Sequence, residues 1–367
     1  SHTVKMKLNT SFADFPLNLT DYRLRMIPSG SGDTIGKTGI GTGPFIVKKF
    51  DAEGTTILKA NPNYWEGAPG LAEVHVIAIP DGEARVQALL TGQIDMNRYV
   101  QFSQKKIFDG NSKFKTSVIP TGNWRGMVMN TERAPFDNPK VRKAVRLAVD
   151  RQELVDTVMG GEAVVSCDTP VAPTDQYRHN MSCKQNIAEA KKLLKEAGYP
   201  NGIEMVIHVS TKEPTWPTIA EVIQQQVAKA GIKVDIKMTP SKSYWKETWM
   251  KKDVAMTRWN ERSADSVLHE VYHSSAKWNE SYYKSSDFDK NLADARGELN
   301  FKKRKALYEK AQHTLWEQSG TMIPYHVSKL VVTNSRVKNL DEVEVFSIQW
   351  HKVCLLYTSD AADDMAS

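Results

Sequence analysis

The sequence predicts an α/β protein, because strand-like and helix-like patterns alternate along the chain. The clearest case is a strand–helix–strand unit formed by residues 203–209, by 218–230 with Gly231 as the stop, and by 232–238. In the last of these segments apolar and charged residues alternate with the two-residue period of a strand that buries one face. Strands and helices in alternation pack as a sheet covered by helices.

The elements before this unit follow the same alternation. Residues 44–47 and 55–60 have strand character, and an apolar run at 74–77 is bounded by a proline. Asp81 then caps a helix that ends near Gly92.

Further helices and strands are predicted along the rest of the chain. Helical spacing covers 141–158, 187–197, 244–250, 266–272, 288–298 and 301–318, and strands are expected at 126–130, 254–258, 322–326 and 330–333.

The composition excludes several classes of function. The 367 residues allow two or three domains, and 40% hydrophobic with 25% charged residues is ordinary for a globular protein. The net charge of +6 comes from basic residues scattered among acidic ones, so no nucleic-acid binding is expected. No stretch reaches the roughly 18 apolar residues that span a bilayer.

Both ends of the sequence are expected to be cut. The chain opens with Ser-His-Thr, and residues 4–8 already alternate like a strand within a domain. The N-terminal part, with any signal peptide, is therefore expected to be missing. Residues 354–364 read CLLYTSDAADD, which matches the translation of a sequencing adapter, so 354–367 is expected to be an artefact outside the fold.

Two cysteines, Cys167 and Cys183, remain once that tail is set aside. An even pair that closes a short loop fits one disulfide in an oxidising compartment, which would contribute about 3 kcal/mol of stability. Two unpaired thiols are the alternative. No metal site is expected, because the cysteines belong to no CxxC or Cys/His ligand spacing.

The sequence contains no hydrolase motif and no complete phosphate-binding loop. Gly36-Lys37-Thr38 resembles the end of a phosphate-binding loop, but the earlier glycine and the following helix are missing. Neither a GxSxG nor an HExxH motif occurs, and His269 and His273 lack a third ligand at a fixed offset. We therefore predict no catalytic residue, no metal and no cofactor.

Several of the nine tryptophans lie in predicted loops: Trp124, Trp216, Trp259 and Trp278. Loop aromatics beside polar groups suit a cleft that encloses an organic solute. Packing of the loops onto the core is the alternative explanation.

Four motifs in order then resemble the bacterial extracellular solute-binding proteins of family 5. They are GTGPF with NPNYW at 41–65, IPDGEAR with ALLTGQID at 79–95, PFDN with VR and AVDR at 135–151, and AEAKKLLKEAGYPNG at 188–202. Together they extend over almost the whole chain.

This resemblance implies a bilobal fold of the type II periplasmic-binding-protein kind, with two α/β lobes joined by hinge strands. Residues 1–122 would be the remainder of lobe I, 123–328 would be lobe II, and 329–353 would return to lobe I before the artefact at 354–367. The hinge strands would lie near 123–130 and 321–326.

The resemblance also implies ligand residues. In peptide-binding members an aspartate on the loop after the strand 254–258 pairs with the peptide α-amino group. Asn260 stands at that place here, with Glu261 adjacent and Asp265 further on. An amide cannot form this charge-assisted pair, whereas Arg262 could engage a carboxylate with two hydrogen bonds.

The loop 211–216 faces the same cleft by analogy. Trp216 is therefore a candidate wall of the ligand site, and Trp124 and Trp259 complete the set of candidate ligand-binding residues.

The predicted function is that of the capture subunit of an ABC importer. It would bind a small peptide or similar solute in the periplasm or outside the cell, as a monomer, and deliver it to a membrane permease. A non-peptide solute such as a metal chelate, an opine or an oligosaccharide is the alternative within this class. A chaperone-like binder and a hydrolase are the alternatives from other classes.

Overall fold

The computed structural model describes residues 3–21, 24–211, 213–340 and 348–356. Its strands are β1 Phe45–Lys49, β2 Thr55–Ala60, β3 Glu73–Ile77, β4 Met96–Val100, β5 Phe114–Met129, β6 Ala163–Val165, β7 Ile203–Ser210, β8 Ile232–Thr239, β9 Val254–Trp259, β10 Thr321–Asn334, β11 Val337–Lys338 and β12 Cys354–Leu355.

Helices alternate with these strands, as predicted for an α/β protein. They are α1 Phe15–Asn18, α2 Ile35–Thr38, α3 Gly82–Leu90, α4 Pro139–Leu147, α5 Arg151–Met159, α6 Ile187–Glu196, α7 Trp216–Ala228, α8 Ser241–Ser243, α9 Ala264–Tyr272, α10 Ser286–Gly297 and α11 Phe301–Gln318, with a 3₁₀ turn at Phe102–Ile107 and a π-helical turn at Tyr244–Thr248.

The chain divides into two compact units. The larger comprises Ser1–Thr20 and Pro120–Ser328, and the smaller comprises Asp21–Ile119 and Lys329–Ser367. Strands β5 and β10 each run from one unit into the other.

In the larger unit the strand order is β10–β5–β9–β7–β8, and β6 pairs with β10. Helices α9, α10 and α11 pack around a core that includes Leu268, Tyr272, Phe288 and Tyr308, all at most 1% exposed. This core lies behind β9, the strand that leads into the predicted ligand loop.

The strand–helix–strand unit β7–α7–β8 brings two glycines into close contact. The parallel pair β7–β8 is in register from Ile203 opposite Ile232 onward. A Cβ atom added to Gly202, which has φ +87°, would lie 1.8 Å from the Gly231 carbonyl oxygen. Only a residue without a side chain allows the two strands to start side by side here.

The smaller unit contains a three-stranded antiparallel sheet in the order β1–β2–β3. A second cluster forms where β4 pairs with the end of β10. There Val86 and Leu89 of α3 pack against Val100 and Val332.

The first twenty residues group differently from the sequence expectation, which placed residues 1–122 together. The Ala13 amide donates to the Arg296 carbonyl (2.8 Å), and Asp14 accepts a hydrogen bond from the Tyr177 hydroxyl (2.7 Å). Arg304 also lies 3.4 Å from Asp14. These contacts attach the N-terminal segment to the larger unit, and sequence periodicity has no means of anticipating them.

Two predicted boundaries differ from the structure. The helical pattern at 141–158 divides into α4 and α5, because the Asp150 side chain accepts hydrogen bonds from the Gln152 and Glu153 amides and caps a new helix. The fold also includes Cys354 and Leu355, which pair with β11. Residues 357–367 of the expected artefact lie outside the described residues.

The disulfide between Cys167 and Cys183 is present, as predicted. Beside it, Arg151 donates to Asp168 (2.6 Å) in an ion pair with both side chains at most 3% exposed. Asp168 also accepts a hydrogen bond from the Ile323 amide (2.9 Å). The cross-link closes the 167–183 loop on itself, the ion pair joins it to α5, and the hydrogen bonds between Asp168 and Ile323 join it to β10.

Among the described residues, no helix is both long and apolar enough to cross a membrane.

We expect Gly202→Ala to lower the free energy of unfolding by more than about 2 kcal/mol, because the methyl group collides with a backbone carbonyl at a positive φ. Urea denaturation followed by tryptophan fluorescence measures the loss.

Gly198→Ala is the matched control, because Gly198 also has a positive φ (+91°) but has no atom within 4 Å of its added Cβ. This variant should lower the free energy of unfolding by only about 1–2 kcal/mol, the cost of placing a residue with a Cβ atom in a left-handed backbone conformation. Equal losses in the two variants would show that the close approach at Gly202 is not a constraint.

Candidate functional site

The candidate site lies where the C-terminal end of β9 pairs with the middle of β5, at the start of the predicted ligand loop. The strands pair antiparallel, with Trp124 opposite Trp259 and Arg125 opposite Arg258. Residues directly opposite each other project to the same side of a sheet, so the two tryptophans share one face and the two arginines share the other. The site therefore has an aromatic face and a basic face.

The expectation that four tryptophans lie in loops is wrong for Trp124, Trp259 and Trp216, which lie in strands or a helix, and is confirmed for Trp278, which lies in a turn. Trp124 is inside β5, fully buried, and its indole N–H has no hydrogen-bond partner among the described residues. Trp259 is the last residue of β9, and its ring lies 5.9 Å from that of Trp278. Large apolar side chains fill the space between the sheet and the helices behind it, which explains why both occur in strands.

The loop after β9 is fastened to β5 by Glu261. Its carboxylate accepts a hydrogen bond from the Gly122 amide (2.7 Å), and its own amide donates to the Asn123 side chain (2.8 Å). Asn260, one residue earlier, is exposed. The structure thus leaves the Asn260 side chain accessible and holds its neighbour against the strand.

Arg262 is engaged within the larger unit. Its Nε donates to Glu270 (2.8 Å), its guanidinium lies 4.9 Å from the centre of the Trp259 ring, and its side chain is 15% exposed. A ligand carboxylate would therefore compete with Glu270 for this arginine.

Asp265 is also engaged. It is 1% exposed, accepts two hydrogen bonds from Arg296 (2.7 and 2.8 Å) and another from the Tyr308 hydroxyl (3.2 Å). Its place in the first turn of α9, where a carboxylate suits the helix dipole, adds to this structural role. Asp265 has no surface to offer to a ligand here.

Trp216 belongs to an aromatic cluster instead of forming a wall. It opens α7, is fully buried, and lies 5.5 Å from the Tyr244 ring and 6.1 Å from the Trp245 ring. Trp245 is the member of this cluster with exposed surface (38%). The sequence analysis correctly expected aromatic residues in this region. It named Trp216 as the accessible one, whereas the accessible side chain is that of Trp245.

The basic face was missed by the sequence analysis. Arg258 Nε donates to Glu213 (2.7 Å), and the Arg258 guanidinium lies 5.8 Å from the centre of the Trp245 ring. Arg125, opposite Arg258, donates to the Trp124 carbonyl (3.1 Å). The sequence does place one arginine in each of two otherwise apolar strand segments, and this pattern could have indicated the basic face.

The charged form of Arg125 is disfavoured on this face. Burial lowers the pKa of Arg125, the Arg258 charge lowers it further, and Glu213 acts in the opposite direction. Glu213 is therefore paired with Arg258, and its charge also favours the charged form of Arg125.

Behind the aromatic face is a buried carboxylate, Glu280. It accepts hydrogen bonds from Thr257 (2.7 Å), from the Trp259 indole (3.0 Å) and from the Trp249 indole. Burial raises its pKa to about 7, although the three donors oppose that shift. Glu280 fixes the orientation of Trp259 and connects β9 to the turn that carries Trp249.

The described ranges contain no group of three or more His, Cys, Asp and Glu side chains that could hold a metal ion. The His269 and His273 rings lie 4.7 Å apart, and burial lowers the pKa of His269.

Comparison with known proteins finds similarity to solute-binding proteins. The family model described as bacterial extracellular solute-binding proteins, family 5 Middle, matches residues 1–279. The glutathione-binding protein GsiB of Pectobacterium atrosepticum is 28% identical over 352 residues, which cover 91% of this chain and 68% of GsiB.

Solved structures are similar along nearly the whole chain. The periplasmic binding protein DppA from Helicobacter pylori, in complex with the peptide STSA, is 26% identical with a TM-score of 0.75, covering 95% of this chain and 71% of DppA. HbpA2 from Haemophilus parasuis is 24% identical with a TM-score of 0.80, covering 95% and 73%, and supports the fold alone.

We expect the contribution of Glu280 to the free energy of unfolding to fall as the pH rises from about 4.5 to 7, because the Glu280 carboxyl is protonated more readily in the folded than in the unfolded chain. The contribution of this group is on the order of 3 kcal/mol at most. Urea denaturation between pH 5 and 8 should show Glu280→Gln gaining stability relative to the unmodified protein as the pH rises.

Glu221→Gln, at an exposed position of α7, is the control and should give a difference that does not change with pH. A constant difference for Glu280→Gln as well would contradict the assignment of a raised pKa to Glu280.

Proposed function

Because this chain belongs to the bacterial extracellular solute-binding proteins of family 5, and is therefore the substrate-binding subunit type of an ABC importer, we propose that it captures a small peptide or peptide-like solute. The captured solute is passed to the permease subunits in the membrane. The fold is the type II periplasmic-binding-protein fold of its structural neighbours.

The observation that carries the ligand proposal is the combination of polar and aromatic groups on β5, β9, the loop after β9 and the π-helical turn Tyr244–Thr248. Accessible Asn260 and Trp245 can make polar and apolar contacts respectively, and the arginines supply charge. Small-molecule sites combine apolar walls with a few oriented polar groups in this way. The relatives that bind glutathione and a tetrapeptide support a ligand with peptide bonds.

A non-peptide solute is the second candidate, and the loop after β9 favours it. Asn260 carries no charge, while the carboxylates of Glu261 and Asp265 are both bonded within the protein. Recognition of a peptide α-amino group by a carboxylate of this loop is therefore not supported.

We further propose that capture occurs in the periplasm or outside the cell, and that the two units correspond to the two lobes of the family. The Cys167–Cys183 disulfide supports an oxidising compartment.

The direct test is a thermal-shift screen of the protein against glutathione, tri-alanine, the nickel–histidine chelate and cellobiose. Binding to the folded state alone raises Tm in proportion to the logarithm of the ligand concentration. We expect glutathione or tri-alanine to raise Tm by several degrees at 1 mM. A shift with the chelate or the sugar alone would overturn the peptide proposal, and no shift with any solute would count against solute capture.

The accessible aromatic is tested with Trp245→Ala, which should weaken the affinity for the bound solute about tenfold by calorimetry, since it removes apolar contact area. Trp65→Ala is the control, because Trp65 is 77% exposed and belongs to the smaller unit, whereas the residues of the candidate site belong to the larger unit. Equal affinities for both variants would exclude Trp245 from the site.

A further inference from the structure

The loop after β9, residues 260–263, is fixed in place at both of its ends. Near its start, Glu261 is hydrogen-bonded to β5. At its end, the Ala264 amide donates to the Asp175 carboxylate (2.9 Å). Ala264 is the first residue of α9 and is fully buried, so this hydrogen bond fixes the point at which the loop passes into the helix.

Asp175 belongs to the disulfide loop, residues 167–183, which the Cys167–Cys183 cross-link closes. Its other carboxylate oxygen accepts a hydrogen bond from the Tyr177 amide (2.8 Å), an Asx turn that orients the carboxylate on its own backbone. Burial raises the pKa of Asp175, although the two amide donors oppose that shift. The two amides therefore hold the carboxylate between the disulfide loop and the start of α9.

Other contacts attach the disulfide loop to the core of the larger unit. The Thr169 hydroxyl donates to the Gln312 side chain of α11 (2.8 Å), which in turn donates to the Tyr177 carbonyl (2.7 Å). The Tyr177 hydroxyl donates to Asp14 (2.7 Å). Thr169, Gln312 and Tyr177 are each at most 1% exposed. The disulfide loop is therefore a fixed support for the loop after β9.

The loop after β9 presents an exposed side chain on this fixed backbone. Asn260 is exposed, and its main-chain carbonyl accepts a hydrogen bond from Arg262 (3.3 Å). A Cβ atom added to Gly122 would lie 2.5 Å from Glu261 Cγ and 2.7 Å from the Cβ of Ala172 in the disulfide loop. β5, the disulfide loop and the loop after β9 therefore meet in close contact at Gly122.

We propose that Asp175 is a positioning residue for solute capture, which holds the loop after β9 in the position from which Asn260 contacts the solute. Without the hydrogen bond to Ala264, this loop would occupy the binding-competent position only part of the time, and the affinity would fall by that fraction. The proposal rests on the proposed function and adds to it a residue outside the loop. Asp175 acts through Ala264 and not by contact with the solute.

The test uses Asp175→Asn, which keeps the size of the side chain. An asparagine forms an Asx turn as well as an aspartate does, but it has a single acceptor oxygen, so the Ala264 amide loses its partner. We expect the affinity for glutathione or tri-alanine, measured by calorimetry at a temperature at which the variant is folded, to fall at least about fivefold.

Asp289→Asn is the matched control. The Asp289 carboxylate accepts a hydrogen bond from the Ser274 amide (3.0 Å), just beyond the other end of α9. Both variants should lower the Tm of the ligand-free protein, since each removes a hydrogen bond to a carboxylate, but Asp289→Asn should leave the affinity unchanged. An unchanged affinity of Asp175→Asn, for a solute that the unmodified protein binds, would assign Asp175 a purely structural role and overturn the proposal.

A second measurement requires no ligand. Hydrogen exchange followed by mass spectrometry should show faster exchange of the amides of residues 259–265 in Asp175→Asn than in the unmodified protein, and no change there in Asp289→Asn. Unchanged exchange in Asp175→Asn would also overturn the proposal, because the loop would then be fixed without this carboxylate.

The outcomes separate the two proposals. If glutathione or tri-alanine binds equally well to the unmodified protein and to Asp175→Asn, the positioning role fails and solute capture stands. If the unmodified protein binds no solute, solute capture fails, and the exchange of residues 259–265 alone decides whether Asp175 holds the loop.

Discussion

The antiparallel register of β5 and β9 is the constraint on which the candidate site depends. Placing Trp124 opposite Trp259 also places Arg125 opposite Arg258 on the other side of the sheet. A shift of one residue would exchange the faces, burying guanidinium groups among the helices of the core. The register therefore decides which side chains face the helices of the core and which lie on the opposite face of the sheet.

The interior face holds that register in place. Thr257 and Trp259, two residues apart on β9, both donate to Glu280, so a slipped strand would lose both hydrogen bonds. Burying a carboxylate costs desolvation free energy. Its hydrogen bonds to a strand and to a separate turn offset that cost only when both elements are in their native positions, so they favour one arrangement of the chain. The raised pKa of Glu280 has the same cause, the burial of its carboxylate.

The sequence predicted the parts of the fold that depend on local pattern. The β7–α7–β8 unit follows from alternation and helical spacing, and the Cys167–Cys183 disulfide from an even pair in a short loop. The attachment of residues 1–20 to the larger unit could not be predicted, because it rests on contacts such as Asp14 with Tyr177 between distant parts of the chain.

For the candidate site, the resemblance named the loop after β9, but it could not show how the side chains of that loop are paired. Arg262 and Asp265 are each paired with a residue of the protein, Glu270 and Arg296, which a linear reading cannot show. Arg125 and Arg258 lie 133 positions apart and become neighbours only through strand pairing. Their significance is a property of the sheet and not of either segment.

The most direct test is a crystal structure of the protein with the solute that gives the largest thermal shift. We predict polar atoms of that solute within about 3 Å of the Asn260 side chain, with its carbon atoms against Trp245 and with the Ala264 amide still donating to Asp175. A solute in contact with neither Asn260 nor Trp245 would contradict this assignment.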